Sequence, residues 1–266
     1  MSRSPLLPAT VITGASSGIG EAIARRLATE EKQTLVLVAR RTEKLDALAT
    51  ELQQKHGLRV YVISLDLEKP GAARELLQAV ALCGLSIDTL INNAGFGLND
   101  AFSEMPLDRI QAMMQLNMIT LTELCHAVLP GMHEHRHGRI LNVASILGFQ
   151  SCPRFAVYAA TKSFVLSFTE ALAREERRHG IHVTAVCPGS TRTSFHDVAG
   201  NTGTVSGKIM NSPDMVAASA LRALRRGNAV IVPGLFNKPL PFLLRFVPRS
   251  LGVFAASLLV YRTRNA

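Results

Sequence analysis

Short apolar runs rich in β-branched residues alternate with helical segments along the chain, and this alternation constrains its fold more than any other feature. The runs are not broken by alternating polar residues, so both faces of each predicted strand must be buried. Parallel strands covered by helices on both faces meet that requirement, and right-handed crossovers join them into a doubly wound α/β sheet. The predicted strands are residues 9–13, 34–39, 60–65, 89–92, 139–144 and 182–186.

The whole chain, residues 1–266, is predicted to fold as one domain. Its length suits a single α/β domain with a substantial core, and no linker-like or low-complexity segment divides it. Helices are predicted over residues 21–29 and 42–56, and again from residue 213 to the glycine at 227. The ligand crevice of such a domain lies beyond the carboxyl ends of its strands, where the polar motifs of this chain fall.

A glycine-rich loop, residues 13–20 with the sequence Thr-Gly-Ala-Ser-Ser-Gly-Ile-Gly, follows the first predicted strand and opens a helix. Gly14 permits a tight turn, Gly18 lets the backbone approach a pyrophosphate, and Gly20 lets helix and strand pack closely. Helix N-terminal amides attract phosphate. The loop therefore predicts a dinucleotide site, the alternative being a glycine-rich turn that binds nothing.

Two arginines, Arg40 and Arg41, stand at the end of the second predicted strand. An acidic residue at this point binds the 2′-hydroxyl of NAD, whereas arginine pairs with the 2′-phosphate of NADP. The first acid, Glu43, already lies inside the following helix. NADP(H) is therefore the preferred cofactor, with NAD(H) as the alternative if both arginines are solvated surface residues.

Tyr158 and Lys162 are four residues apart, a spacing that places both side chains on one face of a helix. A phenol with a pKa of about 10 shuttles protons poorly near neutrality unless a positive charge stabilises the phenolate. We expect Lys162 to supply that charge and to lower the pKa of Tyr158. Such pairs also occur on solvated helices, so the assignment depends on the other motifs.

Five separated motifs, taken in order, resemble those of the short-chain dehydrogenase/reductase family over residues 9–195. The resemblance implies a Rossmann-type fold, a nicotinamide cofactor and a dimeric or tetrameric enzyme. The chain is similar to the NADP-preferring members, but it carries an extended C-terminal tail. The motifs are the glycine-rich loop, Asn92-Asn93-Ala94-Gly95, Ser145, Tyr158-x-x-x-Lys162 and Cys187-Pro188-Gly189.

The same resemblance implies a catalytic tetrad of Asn117, Ser145, Tyr158 and Lys162. Hydride reduction of a carbonyl leaves an alkoxide, which needs hydrogen-bond donors and a proton source beside it. Ser145 would hydrogen-bond the carbonyl oxygen and Tyr158 would donate the proton. Lys162 would hold the nicotinamide ribose, and Asn117 would retain a water that leads from Lys162 to solvent.

The resemblance also implies a set of cofactor-binding residues, with Asp66 placed near the adenine. Many NADP-using members carry a basic residue just before the second glycine of the loop, where this chain has Ser17. Arg40 is therefore expected to provide most of the discrimination between the two dinucleotides. The predicted cofactor-binding residues are Gly14, Ser16, Ser17, Gly18, Ile19, Gly20, Arg40, Arg41, Asp66, Leu67, Asn93, Ala94, Gly95, Tyr158, Lys162, Pro188, Gly189, Thr191 and Thr193.

The predicted activity is the NADP(H)-dependent interconversion of a carbonyl and a secondary alcohol by hydride transfer, with Tyr158 as the acid/base. One alternative is an NAD-linked alcohol dehydrogenase of the same family. Another is a regulatory protein that binds the nucleotide without turnover. The presence of both Tyr158 and Lys162 argues against the second alternative, since such a protein does not need the pair.

Two segments beyond the common core bear on the substrate. Residues 190–212, rich in Gly, Thr and Ser, are predicted to form a mobile loop beside the crevice that closes over substrate, as it often does in the family. Residues 235–266 form an apolar and basic C-terminal extension, whose last apolar stretch is too short to span a bilayer. The extension could lie on an anionic membrane, roof a pocket for an apolar substrate, or pack on the core or a subunit interface.

The net charge of +9 favours anionic partners in general. Nucleic acid is not predicted, because the basic residues are dispersed and no binding module accompanies them. The predicted partners are a small-molecule substrate, a second copy of the chain and, through the extension, a membrane surface.

No metal site is predicted. His133, His135 and His137 alternate at a helix end, where a solvated, positively charged C-terminus explains them. The widely spaced cysteines form no Cys-x-x-Cys pair, which argues against a zinc site and a disulfide framework. A reducing cytoplasm is therefore the predicted location, and the first residues lack the apolar stretch of a secretory signal.

Overall fold

A single parallel sheet forms the centre of the computed structural model, which describes residues 6–192, 210–235 and 237–262. Within these residues the sheet has seven strands in the order β3-β2-β1-β4-β5-β6-β7. The chain reverses its direction of winding between β1 and β4, which are neighbours in the sheet. The strands are β1 (Leu7–Thr13), β2 (Thr34–Ala39), β3 (Val60–Ser64), β4 (Leu85–Asn92), β5 (Gly138–Val143), β6 (Ile181–Val186) and β7 (Val230–Ile231).

Helices connect the strands and continue beyond the last of them. A π-helical segment, Gln115–Thr120, joins α4 to α5, and a 3₁₀ turn, Ile146–Gly148, follows β5. The helices are α1 (Gly18–Glu30), α2 (Thr42–His56), α3 (Ala72–Leu82), α4 (Leu107–Met114), α5 (Leu121–His135), α6 (Ala156–Glu176), α7 (Pro213–Arg225), α8 (Leu240–Leu244) and α9 (Arg249–Arg262).

Two apolar cores lie on opposite faces of the sheet, as the doubly wound fold requires. Successive strand residues point to opposite faces, so Val11 packs into one core and Ile12 into the other. The first core is closed by α3, α5 and α6, and the second by α1, α2 and α7. The predicted Rossmann-type sheet with helices on both faces is therefore confirmed.

The strand predictions are correct for six of the seven strands that the structure describes. β4 begins at Leu85, four residues before the predicted start, because Ser86 and Asp88 interrupt the apolar run that marked the strand. β7 was not predicted because it contains only two residues. Helix α2 has the predicted bounds and ends where Gly57 takes a positive φ of 66°.

The carboxyl ends of the strands bring the polar motifs to one edge of the sheet. The glycine-rich loop follows β1, the two arginines follow β2, and Asn93 follows β4. Ser145 lies just beyond β5 and Pro188 just beyond β6. Because parallel strands all end at this edge, residues far apart in sequence form one crevice there.

Candidate active site

Tyr158 and Ser145 share a buried hydrogen bond at the carboxyl edge of the sheet. Tyr158 is the third residue of α6 and is 7% exposed, and its hydroxyl hydrogen-bonds with the side chain of Ser145. Ser145 precedes the 3₁₀ turn after β5, and its Oγ accepts a hydrogen bond from Leu147 N at 3.2 Å. The structure thus brings together a phenol and a hydroxyl that can both reach one substrate oxygen.

The 3₁₀ turn that follows Ser145 is held in place by contacts with two neighbouring elements. Ile146 N donates to Pro188 O at 3.0 Å, which joins the turn to the segment after β6. A Cβ on Gly148 would lie 2.8 Å from Lys162 O, so only glycine lets the turn pack this closely on α6. The position of Ser145 relative to Tyr158 is therefore set by packing on both neighbouring elements.

Lys162 lies one helical turn after Tyr158 and is 5% exposed. Its Nζ donates to Val143 O at 2.8 Å and lies 5.7 Å from the centroid of the Tyr158 ring. The predicted proximity of the two side chains is therefore present. The ammonium is held by a backbone carbonyl at the end of β5.

Asn117 belongs to the π-helical segment between α4 and α5 and is 1% exposed. Its Nδ2 donates to Phe96 O at 2.9 Å and to Thr161 Oγ1 at 3.1 Å, while its Oδ1 accepts from Phe96 N at 3.2 Å. π-helical turns are rare and frequently mark functional sites. This turn places the Asn117 amide beside α6, next to the residue that precedes Lys162.

Gly95 lies between Asn117 and Lys162. A Cβ on Gly95 would be 2.9 Å from Asn117 Oδ1 and 3.5 Å from Lys162 Nζ. A Cβ at this position would displace the Asn117 amide. The absence of a side chain at Gly95 therefore leaves room for the Asn117 amide beside it.

Burial shifts the pKa values of Tyr158 and Lys162 towards their neutral forms. Burial raises the pKa of Tyr158 to about 12, and the hydrogen bond with Ser145 only partly opposes this effect. Burial also lowers the pKa of Lys162 to about 8. The pKa of Tyr158 is therefore raised overall rather than lowered as predicted, because loss of solvent outweighs the hydrogen bond with Ser145.

The glycine-rich loop is tied to the segment after β4 through Asn93. Asn93 Nδ2 donates to Thr13 O at 2.9 Å and to Gly14 O at 3.1 Å. Gly14 and Gly18 have positive φ values of 66° and 62°, and a Cβ on Gly20 would lie 2.5 Å from both Asn93 Nδ2 and Gly14 O. The loop and Asn93 therefore form one closely packed unit.

Thr13, the last residue of β1, was not among the predicted site residues. Its Oγ1 accepts hydrogen bonds from the backbone amides of Asn93 and Ala94, each at 3.0 Å, and donates to Ile91 O at 3.2 Å. A threonine that ends a strand immediately before a glycine loop is the sequence signal that could have identified it. Thr13 thus holds the predicted cofactor residues Asn93 and Ala94 against the loop.

Arg41, rather than Arg40, reaches the glycine-rich loop. Arg41 Nη2 donates to Ser17 Oγ at 2.9 Å and to Ser16 Oγ at 3.1 Å. Arg40 turns away and pairs with Glu68 at 2.6 Å. The guanidinium of Arg41 thus occupies the neighbourhood where many relatives place a basic residue in the loop itself.

Asp66 and Leu67 follow β3 at the same edge. Asp66 Oδ1 accepts from Glu68 N at 3.2 Å and lies 3.8 Å from Arg40 Nη1. Leu67 is buried, and its carbonyl accepts from Thr120 Oγ1 at 3.0 Å. These contacts fix the segment beside the two arginines.

The segment after β6 is described as far as residue 192. Thr191 is buried and its Oγ1 donates to Gly189 O at 3.0 Å. Thr193 and most of the predicted substrate loop, residues 193–209, lie outside the described residues. The roles of Pro188, Gly189 and Thr191 remain predictions.

The three alternating histidines do not converge. His133 pairs with Glu176, His135 hydrogen-bonds to Gly131 O at 2.7 Å, and His137 lies 3.4 Å from Asp88. His133 instead belongs to a group with Glu176 and His179, whose ligand-type atoms lie within 4.8 Å of one another. The guanidinium of Arg178 also donates to His179 Nε2 at 3.1 Å, which places a cation beside that group.

Residues 8–202 match the sequence profile of the family described as short chain dehydrogenase. Among curated proteins, the NADP-dependent 3-hydroxy acid dehydrogenase of Schizosaccharomyces pombe is 35% identical over 233 residues. That match covers 85% of this chain and 90% of the relative.

Solved structures are similar in fold to this chain over nearly its whole length. A short-chain dehydrogenase from Sphingobium yanoikuyae in complex with NADPH has a TM-score of 0.78 at 32% identity, covering 92% of this chain and 98% of that one. A 7β-hydroxysteroid dehydrogenase has a TM-score of 0.84 at 26% identity, covering 95% of this chain and 97% of that one.

Proposed function

This chain belongs to the short-chain dehydrogenase family of oxidoreductases, and we propose that it uses NADP(H) to interconvert a carbonyl and a secondary alcohol. Tyr158 is the acid/base of this reaction. The observation that carries the proposal is the buried hydrogen bond between Tyr158 and Ser145, with Lys162 one turn away. This group lies at the strand edge where doubly wound sheets bind their ligands.

The residues at the glycine-rich loop fit a phosphorylated dinucleotide. The N-terminus of α1 has no side-chain cap at Ser17, so its first amides suit a pyrophosphate. Arg41 and the hydroxyls of Ser16 and Ser17 form a donor cluster that suits the additional 2′-phosphate of NADP. The NADP-dependent and NADPH-bound relatives support this cofactor preference.

Each side chain of the tetrad has a separate role in the reaction. The bound cofactor supplies or accepts the hydride. In the reductive direction, Ser145 donates a hydrogen bond to the substrate oxygen and Tyr158 gives its hydroxyl proton to the same oxygen. A neutral phenol is the form required for proton donation, and burial keeps Tyr158 in that form.

Lys162 and Asn117 support the proton donor. Lys162 holds a positive charge near the Tyr158 ring, which stabilises the phenolate as its proton leaves. Asn117 positions the segment around Gly95, beside the Lys162 ammonium, where a proton path to solvent would begin. In the oxidative direction the same groups take the proton from an alcohol.

The substrate class can be tested by following NADPH oxidation with ketones, aldehydes, quinones and acyl thioesters. We expect turnover with at least one carbonyl class and slower turnover with NADH. Faster turnover with NADH would favour the NAD-linked alternative. Nucleotide binding without turnover on any carbonyl or alcohol would favour the regulatory protein.

We also propose that the enzyme forms a homodimer or homotetramer through the outer faces of α5 and α6. Ile119 and Phe164 are exposed there and line a groove of about 570 Å³ together with Met118 and His126. Burying these side chains against a second copy would remove apolar surface from water. Light scattering of the wild type and of Phe164→Glu tests this contact, since the variant should lose the oligomer.

A reducing cytoplasm is the proposed location, with the C-terminal extension in contact with a membrane surface. Cys83, Cys125, Cys152 and Cys187 are all free, which suits a reducing compartment. Within the described residues, no helix has the length and apolar character needed to cross a bilayer. The proposed contact is therefore made at the surface of the membrane.

A further inference from the structure

Large apolar side chains that face solvent are concentrated on the C-terminal extension. Seven of them lie between residues 235 and 258, and each is between 44% and 80% exposed. Phe242 and Phe246 form an edge-to-face pair, with ring centroids 5.0 Å apart, that stands on the outside of the molecule. The seven are Leu235, Phe242, Leu243, Phe246, Leu251, Phe254 and Leu258.

The extension also contains no Asp or Glu. The last acidic residue in the sequence is Asp214, whereas the extension itself contains five Lys and Arg residues. Lys238, Arg245 and Arg249 are exposed among the apolar side chains. Apolar residues interspersed with cations are the composition of segments that lie in the interface of an anionic membrane.

The inner side of the extension packs beside the candidate active site. A Cβ on Gly252 of α9 would lie 2.7 Å from Gln150 Oε1, and Gln150 follows the turn that carries Ser145. A Cβ on Gly189 would lie 2.5 Å from Asn237 Nδ2. The extension therefore contacts the segments after both β5 and β6, and the surface it exposes adjoins the mouth of the crevice.

Binding of a second copy of the chain to this surface would be electrostatically unfavourable. In a two-fold symmetric contact the same patch meets itself, so the cations Lys238, Arg245 and Arg249 of one copy would be brought close to those of the other. The extension offers no acidic side chain to pair with them. Anionic lipid headgroups supply the missing negative charge, and the adjoining acyl region accepts the phenylalanine and leucine side chains.

We propose that residues 235–262 seat the enzyme on an anionic membrane surface, and that its substrate is an apolar carbonyl or alcohol taken from the lipid phase. The substrate part rests on the proposed oxidoreductase activity, whereas the membrane part, which develops the membrane contact proposed above, does not. The exposed apolar surface beside the crevice gives a lipid-dissolved molecule a short path to Tyr158. The molecule would not need to cross water.

Membrane binding is tested by sedimenting the full chain with vesicles of phosphatidylglycerol or of phosphatidylcholine. We expect binding to the anionic vesicles, weakened by salt, and little binding to the neutral ones. The double variant Phe242→Ser/Phe246→Ser should lose about tenfold or more in affinity. The control Leu82→Ser/Leu107→Ser removes apolar side chains that are 89% and 66% exposed from α3 and α4, and it should bind like the wild type.

Three results would overturn the membrane proposal. The first is equal binding of the Phe242→Ser/Phe246→Ser variant and the wild type, and the second is no binding to anionic vesicles. The third is self-association that the Phe242/Phe246 change abolishes, which would identify a second copy as the occupant. Tyr158→Phe protein should bind vesicles like the wild type, so this readout does not depend on turnover.

The substrate part is tested with an apolar ketone presented in anionic vesicles. For the wild type, kcat/KM should be higher with vesicles than without them. The Phe242→Ser/Phe246→Ser variant should show no such gain. It should reduce a water-soluble ketone with the same kcat/KM as the wild type. Equal kcat/KM with and without vesicles would contradict delivery from the lipid phase. Failure of both enzymes on every ketone would instead contradict the proposed function.

Discussion

The Arg41 guanidinium donates to the Ser17 hydroxyl at 2.9 Å, which joins the end of β2 to the glycine-rich loop after β1. Replacing Arg41 with Ala should raise the KM for NADPH about tenfold to a hundredfold, because a charged hydrogen-bond donor to the 2′-phosphate is lost. The KM for NADH should change little. Steady-state kinetics with both cofactors provide the measurement.

Arg40→Ala is the matched control for this prediction. Arg40 is paired with Glu68, and Glu68 keeps a second partner in Arg109 at 3.2 Å when Arg40 is removed. We expect a smaller rise in the NADPH KM for this variant than for Arg41→Ala. A larger rise in the NADPH KM for Arg40→Ala than for Arg41→Ala would show that Arg40 discriminates NADPH from NADH, as the sequence alone predicts.

Gly20→Ala should destabilise the fold and weaken cofactor binding. The new Cβ would lie 2.5 Å from Asn93 Nδ2, and the Asn93 amide is held by two backbone carbonyls and cannot easily move. The expected loss in the free energy of unfolding is about 1–3 kcal/mol. Urea denaturation measures this loss.

Gly131→Ala in α5 is the control for the same substitution in a helix. No atom lies within 4 Å of a Cβ placed there, so the helix propensity of alanine should stabilise the protein by up to about 1 kcal/mol. Equal effects of the two substitutions would show that close packing at Gly20 is not what requires glycine.

Lys162→Met should stabilise the protein relative to wild type at neutral pH, and the gain should shrink as pH rises. The folded protein lowers the pKa of Lys162 from 10.5 to about 8, so below pH 8 the buried charge opposes folding in full. Between pH 8 and 10.5 the folded form loses its proton first and the penalty disappears. Its full size is about 3 kcal/mol.

Urea denaturation at several pH values checks the Lys162 prediction, with the exposed Lys44→Met as the control. The difference in unfolding free energy between Lys162→Met and wild type should fall from pH 8 to pH 10.5, whereas the Lys44→Met difference should stay flat. A Lys162→Met difference that grows with pH would mean that the protonated amine stabilises the fold.

The sequence predicts the sheet well because strand burial on both faces leaves an unbroken apolar signal, as in residues 34–39. It assigned most of the cofactor discrimination to Arg40, whereas Arg41 is the arginine that reaches the glycine-rich loop. The direction of each side chain depends on how β2 passes into α2, which the sequence does not reveal. The π-helical turn around Asn117 also could not be predicted from the sequence, because such a turn hardly changes the helical periodicity of the apolar residues. The pKa values of Tyr158 and Lys162 depend on burial, which spacing along the chain does not reveal.

The role of Tyr158 is the central claim, and Tyr158→Phe tests it most directly because it removes only the hydroxyl. With a carbonyl substrate found in the NADPH screen, we predict a fall in kcat of about a hundredfold or more, since the proton donor is lost. NADPH binding, measured by fluorescence titration, should stay within about twofold of wild type because the donor cluster at Arg41 is untouched. Tyr61→Phe, a matched change on β3, should leave both quantities unchanged. A Tyr158→Phe enzyme that kept most of its turnover would contradict the account.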